Sequence, residues 1–312
     1  MHFQTTGAPG RMVLLGAFIS AVTLVPAAAL GEDPKFAYAK AGDLAKLPPW
    51  AAQVTAGFGM TTGNAQAINF SGAGMVSHRF TPNDLLAFDA LVAFQRSTVQ
   101  TAVDNAPADG VITPNEVMSI TQSVSEAWAT KLRYDHFFDL NAVYGLVFAG
   151  GDIPAGKQFV GGAQVGYSRA LYKTATSELV GEIGLDYTYQ RYVVGDPNSI
   201  NIAALRAYLG YLGNPTPDLS YNASIEYLGN LNEENTPTGK VGSFGDNRAV
   251  GKLGVTWKIF GDGSLGFRFR ALYDSAPAPK PPPAGFSWAA GYQPLANPWD
   301  TFTELVLVYK LM

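Results

Sequence analysis

The chain has 312 residues, a formal net charge of −4, no cysteine and 15% charged residues, against about 25% in ordinary soluble domains. The lack of cysteine argues against disulfide frameworks and zinc-thiolate sites. The acidic balance supplies no cluster of Lys and Arg to neutralise nucleic-acid phosphates, so no nucleic-acid partner is expected, and 47% hydrophobic residues argue against disorder.

In chain order, Arg11 precedes an apolar run from Met12 to Val25, followed by Pro26, three alanines, Leu30 and Gly31. Pro26 interrupts the run, and a spanning helix needs about 20 apolar residues. Residues 1–31 are therefore predicted to be a secretory signal peptide cleaved near Gly31. With no cysteine near the cut, lipidation is excluded. Residues 32–49, closed by Pro48-Pro49, form a periplasmic lead-in, and 50–312 form one domain.

From Trp50 onward the apolar residues recur with period two. Leu179, Gly181, Ile183, Leu185, Tyr187 and Tyr189 share one face against Glu182, Gly184, Asp186 and Thr188. Leu265, Phe267, Phe269, Ala271 and Tyr273 oppose Arg268, Arg270 and Asp274, and Val255, Trp257 and Ile259 oppose Lys252, Thr256 and Lys258. About twelve such segments start near residues 50, 67, 85, 126, 141, 158, 178, 200, 218, 247, 264 and 299. Two of them, Ala142 to Phe148 and Phe159 to Tyr167, alternate poorly.

The connections sort by parity. Those after even-numbered strands are brief, such as Thr81-Pro82-Asn83-Asp84 and Phe260 to Gly263, while Val99 to Ser125, Asn230 to Asp246 and Ser275 to Pro298 are long and polar. The fold class expected is all-β, an antiparallel up-and-down transmembrane barrel with short periplasmic turns and long external loops. Aromatics near strand ends mark the two interfaces, with Trp50, Tyr134, Trp257 and Tyr309 at the periplasmic level and Trp128, Tyr189, Tyr227 and Tyr273 outside. None of these apolar faces carries a mid-strand Lys or Arg, which would cost about 2 to 4 kcal/mol at the bilayer midplane. Lipid is thus the better solvent for that face, and the expected location is the outer membrane of a Gram-negative bacterium.

With the polar face inward, Lys131, Arg133, Lys252, Arg268 and Arg270 line the lumen beside Asp135, Glu182, Asp186, Glu226 and Asp274, a near balance of signs able to pair across it. Small barrels fill their interior and large porins hold a channel, and about twelve strands lies between. The interior is read first as ion-paired and mostly closed, in a structural or envelope-stress protein. The alternative is a narrow, weakly selective channel for small polar solutes or ions.

Four other features fit ordinary surface chemistry better than sites. His78 lies next to Ser77 on the opposite face of a strand, and His136 has no Ser or Thr at two-residue spacing, so an outer-membrane lipid hydrolase is the weakest reading and the expectation is no enzyme and no cofactor. Residues 105–116 hold half of a calcium loop, with Asp109-Gly110, Ile112, Thr113 and Glu116 but Pro107 in place of a carboxylate, which leaves at most weak calcium binding. Ala276 to Pro283 reads as a stiff spacer on a surface loop. Gly57, Gly59, Gly63, Gly72 and Gly74 read as bulges or close backbone approaches rather than a phosphate loop.

The hairpin at Gly63-Asn64, Leu132 to Phe138 (LRYDHFF), Tyr273 to Pro279 (YDSAPAP) and the terminal VLVYKLM resemble the bacterial outer-membrane family labelled salt-induced outer membrane protein, or YdiY-like. The resemblance spans Trp50 to Met312 and implies an outer-membrane barrel with no activity, ligand or catalytic residue to carry over. The Val99 to Ser125 connection and the terminal Met312 depart from it, although Leu305, Leu307, Tyr309 and Leu311 keep the alternation that the barrel insertion machinery would read. That machinery and outer-membrane lipid are the expected partners.

Overall fold

The computed structural model describes residues 49–61, 65–102, 117–237, 239–282, 295–296 and 298–311. The segments read from sequence as a signal peptide and, for the most part, as a lead-in, together with residues 105–116, lie outside the described residues. Twelve antiparallel strands close into one barrel. In chain order they are β1 (Trp50–Thr61), β2 (Ala65–Thr81), β3 (Asp84–Ala102), β4 (Val117–Phe138), β5 (Asn141–Asp152), β6 (Lys157–Lys173), β7 (Ser177–Tyr192), β8 (Ser199–Thr216), β9 (Leu219–Asn230), β12 (Asn247–Phe260), β13 (Gly263–Asp274) and β14 (Trp299–Lys310). A small hairpin, β10 (Glu234–Thr236) and β11 (Gly239–Val241), stands outside the barrel sheet between β9 and β12. Neighbours in sequence pair throughout, and β1 closes the ring on β14 with Gln53 opposite Lys310.

The short turns gather at one end with both ends of the barrel sequence, and side chains satisfy their backbone groups. Thr81 Oγ1 accepts from Asn83 N at 3.2 Å, Thr174 Oγ1 from Ser177 N at 3.0 Å and Thr216 Oγ1 from Leu219 N at 3.1 Å. Asp139 takes a left-handed φ of 56° in the turn between β4 and β5, a conformation Asp adopts more readily than most residues.

Period two sends one face of every strand outward. Val165, Ile183, Leu185, Ile225, Leu253, Phe267 and Leu305 all leave more than half of their surface exposed on that face. A contiguous apolar belt of this extent is not sustained in water, where patches rarely exceed a few hundred Å². In a bilayer it needs no partner but acyl chains. Charged outward side chains such as Arg169 and Arg191 stand toward strand ends. The outward tyrosines direct their hydroxyls away from the middle of the belt. Tyr134 donates to Asp84 (2.5 Å) and Tyr167 to Asn141 at the turn end, while Tyr187 donates to Asn201 (2.7 Å) and Tyr227 to Asn247 (2.5 Å) at the loop end. Each ring lies in the apolar zone with its polar tip at a rim, which is how amphipathic aromatics anchor a barrel.

Three sequence readings need correction. The Val99 to Ser125 connection is shorter than the sequence reading made it, since β3 and β4 stay in register out to Ala102 opposite Val117, past a bulge between Gln95 and Arg96. The Pro-rich stretch is no free spacer. Ala278 and Pro279 are buried over the loop end of the barrel, and Pro279 bridges to Leu295. Gly156 makes this possible, because its φ is +81° and a Cβ there would stand 2.2 Å from the Pro279 carbonyl oxygen. Finally, β1 and β2 pair without a bulge, and a Cβ on Gly74 would meet open space; only Gly57 of the described set is tightly approached, by Ser71 and Glu304. Gly59 and Gly63 are not part of that comparison.

Candidate functional site: the barrel lumen

The inward face divides into a locked wall and a wet one. On the locked wall, Arg133 of β4 holds Asp135 and Glu182 of β7, each at 2.7 Å. Arg206 of β8 holds the other oxygen of Glu182 at 2.6 Å and Glu226 of β9 at 2.5 Å. Both arginine side chains are wholly buried. Ser168 Oγ donates to Glu182 (3.1 Å), and Arg206 Nη1 donates to the Tyr144 hydroxyl (2.9 Å). The Arg133 guanidinium lies 4.3 Å from the Tyr144 ring centre, a distance suited to cation–π attraction. Signs alternate along Asp135, Arg133, Glu182, Arg206 and Glu226, so the chain of charges laces β4 to β9, and its Arg133–Glu182 step joins β4 to β7, which share no backbone ladder. Such a buried network persists only when its members satisfy one another.

Tyr144 reaches its place because the wall beneath it has no side chains. A Cβ on Gly166 or Gly184 would lie 2.6 or 2.7 Å from its hydroxyl oxygen. Tyr144, Leu146, Phe148 and Val160 form an inward apolar cluster. This explains the poor alternation of β5, where both faces are apolar although burial along the strand alternates. Above the ion pairs, Asp186 accepts from Gln164 Nε2 (2.8 Å) and Thr188 Oγ1 (2.7 Å).

At the loop end Tyr192, Ile200, Ile202, Ala204, Leu228 and Ala278 make an apolar cap. Beside it Lys157 pairs with Asp274 at 3.0 Å, and Asn230 Oδ1 accepts from the Asp246 amide at 2.9 Å. Glu234 of the small hairpin is buried there. Burial, reinforced by the charge of Asp246, pushes its carboxyl up to about 7.

The opposite wall is different. Lys252 of β12, Arg268 and Arg270 of β13 and Glu304 of β14 face inward yet remain partly exposed. Arg268 keeps 38% of its side chain accessible, with Glu304 at 3.7 Å. Glu304 also accepts from Ser71 Oγ at 3.0 Å. Toward the turn end, inward Asn222 and Lys258 are exposed. Of the residues read from sequence as lumen-lining, Arg133, Asp135, Glu182 and Glu226 thus meet in one network, Asp186 and Asp274 lie buried above it, Lys131 is buried opposite Asp89 in the register, and Lys252, Arg268 and Arg270 stand on the wet wall. Sequence reasoning missed Arg206, Tyr144, Lys157 and Glu304. Arg206 was accessible to it, since Leu205, Ala207 and Leu209 mark the opposite face.

His78 and His136 lie on the outward face at the turn end. His136 Nδ1 is 2.7 Å from Asp84 Oδ1, and His78 stacks on Trp50 with ring centres 4.0 Å apart.

A closed antiparallel barrel with a lipid-facing apolar belt, aromatic rims and a charged interior defines the class: a β-barrel of the outer-membrane type. The chain belongs to the family described as "Protein of unknown function, DUF481", whose model matches residues 54–284. No curated protein matches it. Among solved structures it is similar to the COG4313 outer membrane channel of Pseudomonas putida F1, with 10% identity, a TM-score of 0.45, and coverage of 89% of this chain and 98% of that one. It is also similar to the translocator domain of the autotransporter NalP from Neisseria meningitidis, with 14% identity, a TM-score of 0.39, and coverage of 83% and 86%. OmpT, an outer membrane protein of Vibrio cholerae, matches with 9% identity, a TM-score of 0.37, and coverage of 84% and 96%.

Proposed function

We propose that this protein, exported by its signal peptide to the outer membrane of a Gram-negative bacterium, forms a narrow passive conduit for small polar solutes or ions. The observation that carries the reading is the asymmetric interior. The β4–β9 wall is fixed by buried ion pairs, while Lys252, Arg268, Arg270 and Glu304 stay accessible to water at mid-depth. Fixed charges beside a wet path are how narrow pores select. Purified protein in planar bilayers is expected to give discrete conductance steps; a silent bilayer with folded, inserted protein overturns the reading.

A second reading, a structural or envelope-stress barrel with a closed lumen, is favoured by the apolar cap of Tyr192, Ile200, Ile202, Leu228 and Ala278 at the loop end. It expects the silent bilayer. Kinship with the salt-induced, YdiY-like proteins belongs to this proposal, as do outer-membrane lipid and the insertion machinery as partners. No catalytic role is assigned: His136 is engaged by Asp84, and His78 by Trp50.

A further inference from the structure

Two segments close over the loop end of the barrel. The hairpin of β10 and β11 brings Pro237, and the Pro-rich strap brings Pro279, to one point of the β7–β8 connection, Gly195. The φ of Gly195 is +121°, and a Cβ there would stand 2.8 Å from Pro237 and 3.4 Å from Pro279. Ala278 of the strap completes the apolar cap.

The hairpin carries a carboxyl into this closure. Glu234 is 3% exposed, and neither of its oxygens meets a hydrogen-bond donor at bonding distance. The adjacent Asn230 side-chain amide gives its protons to the Asn232 and Gly242 carbonyl oxygens, at 2.8 and 3.0 Å. Asp246 before β12, Arg248 of β12 and Asp274 of β13 face Glu234, and Tyr192 of β7 lies among the same carboxylates. Residues 199–205 of β8 are uncharged, and Lys240 of β11 pairs with Glu233 on the exposed side. Lys157 of β6 is held by Asp274 at 3.0 Å and stands opposite Asp152 of β5. Arg248 is shared among the fields of Asp246, Asp186, Asp274 and Glu234, with its Nε and Nη2 unbonded. An ionised Glu234 is thus a buried like charge beside Asp246 that gains water only when the closure lifts.

We propose that the β10–β11 hairpin and the Pro-rich strap form a pH-operated lid on the loop end of the conduit, shut while Glu234 holds its proton and released when that carboxyl ionises. The inference rests on the conduit reading and names its regulation. While the lid is shut, the apolar cap beneath it excludes water, and a dewetted constriction blocks conduction. The Glu234 carboxyl, at about 7 in the shut lid and near 4.5 in water, favours the shut form fully below 4.5 and releases it as pH rises through 7, so the open-to-shut ratio should rise on the order of 50-fold between pH 5 and pH 8.

The test combines single-channel recording from pH 5 to pH 8 with maleimide labelling of Ala278→Cys, its rate divided by that of Lys240→Cys to remove the thiol's own ionisation. With Glu234 intact, open probability and normalised labelling are both expected to rise with pH. In Glu234→Gln, neutral at every pH, both are expected to stay at the pH 5 level. Current or labelling that does not change with pH, or a Glu234→Gln profile that matches the native one, overturns the lid; if current flows, the conduit stands. A bilayer silent at every pH while the labelling still rises overturns the conduit reading instead. Should Glu234→Gln lack the heat-modifiable mobility of a folded barrel, Asp246→Asn takes its place. It removes the neighbouring like charge and keeps the backbone amide that bonds Asn230, so it is expected to flatten the pH dependence; an unchanged profile overturns the proposal.

Discussion

Replacing Arg206 with Met keeps most of the side-chain volume but deletes the charge that joins Glu182 to Glu226. Glu182 retains Arg133, while Glu226, buried at 3% exposure, loses the cation 2.5 Å away, and the Tyr144 hydroxyl loses a donor at 2.9 Å. Stranding one partner of a buried pair costs about 3–5 kcal/mol. At about 2–4 °C per kcal/mol for a protein of this size, the thermal midpoint falls by roughly 6–20 °C. The assay is the temperature at which the compact electrophoretic form disappears, with urea unfolding from lipid vesicles as the equilibrium check. Adding Glu226→Gln to Arg206→Met removes the stranded charge and should recover about 1 kcal/mol or more, as coupled neighbours do. An Arg206→Met protein within about 1 kcal/mol of the parent, or a double variant no better than the single, refutes the claim that these charges brace the wall.

Gly156→Val places a β-branched side chain at a φ of +81° and against the Pro279 carbonyl, so the Pro-rich cap should lift. A cysteine at Ala278, buried at 1% exposure, is expected to resist a membrane-impermeant maleimide in the parent and to react in Gly156→Val; equal reactivity contradicts the seating. The raised carboxyl of Glu234, about 7 in the fold, means that its contribution is fully present below its ordinary value near 4.5 and is lost as pH rises through 7. Amide exchange in residues 231–246, corrected for intrinsic rates, should therefore be slower at pH 5 than at pH 8, and Glu234→Gln should flatten the difference. Tyr227→Phe removes one hydroxyl bond to Asn247 and should cost about 1 kcal/mol in urea unfolding, with no loss of membrane insertion.

Much of the fold was legible because a barrel strand has one rule, alternation, and most of the described outward side chains obey it. All twelve starts fall within a few residues of the barrel strands, except that β4 begins earlier, because a hairpin reaching beyond the bilayer no longer needs an apolar face. The lumen was less legible. Facing residues on β5 and β8 are apolar where they meet Tyr144 or the cap, so polarity alone does not mark the inside. Which charges meet depends on chords such as Arg133 to Glu182, set by register and by glycines 166 and 184 leaving room for an aromatic ring. The folding of Ala278 and Pro279 onto the barrel depends on Gly156, 122 residues earlier than Ala278 in the chain, and no local pattern announces it.

The most direct test of the account asks which face of one strand meets acyl chains. The protein has no cysteine, so single cysteines carrying a fluorophore can be placed without background at outward Ile183 and Leu185 and at inward Thr188 and Gln190 of β7. In vesicles of brominated phospholipid the first pair is expected to be quenched and the second spared. Equal quenching by an aqueous quencher at all four positions, with none from brominated chains, contradicts the membrane barrel.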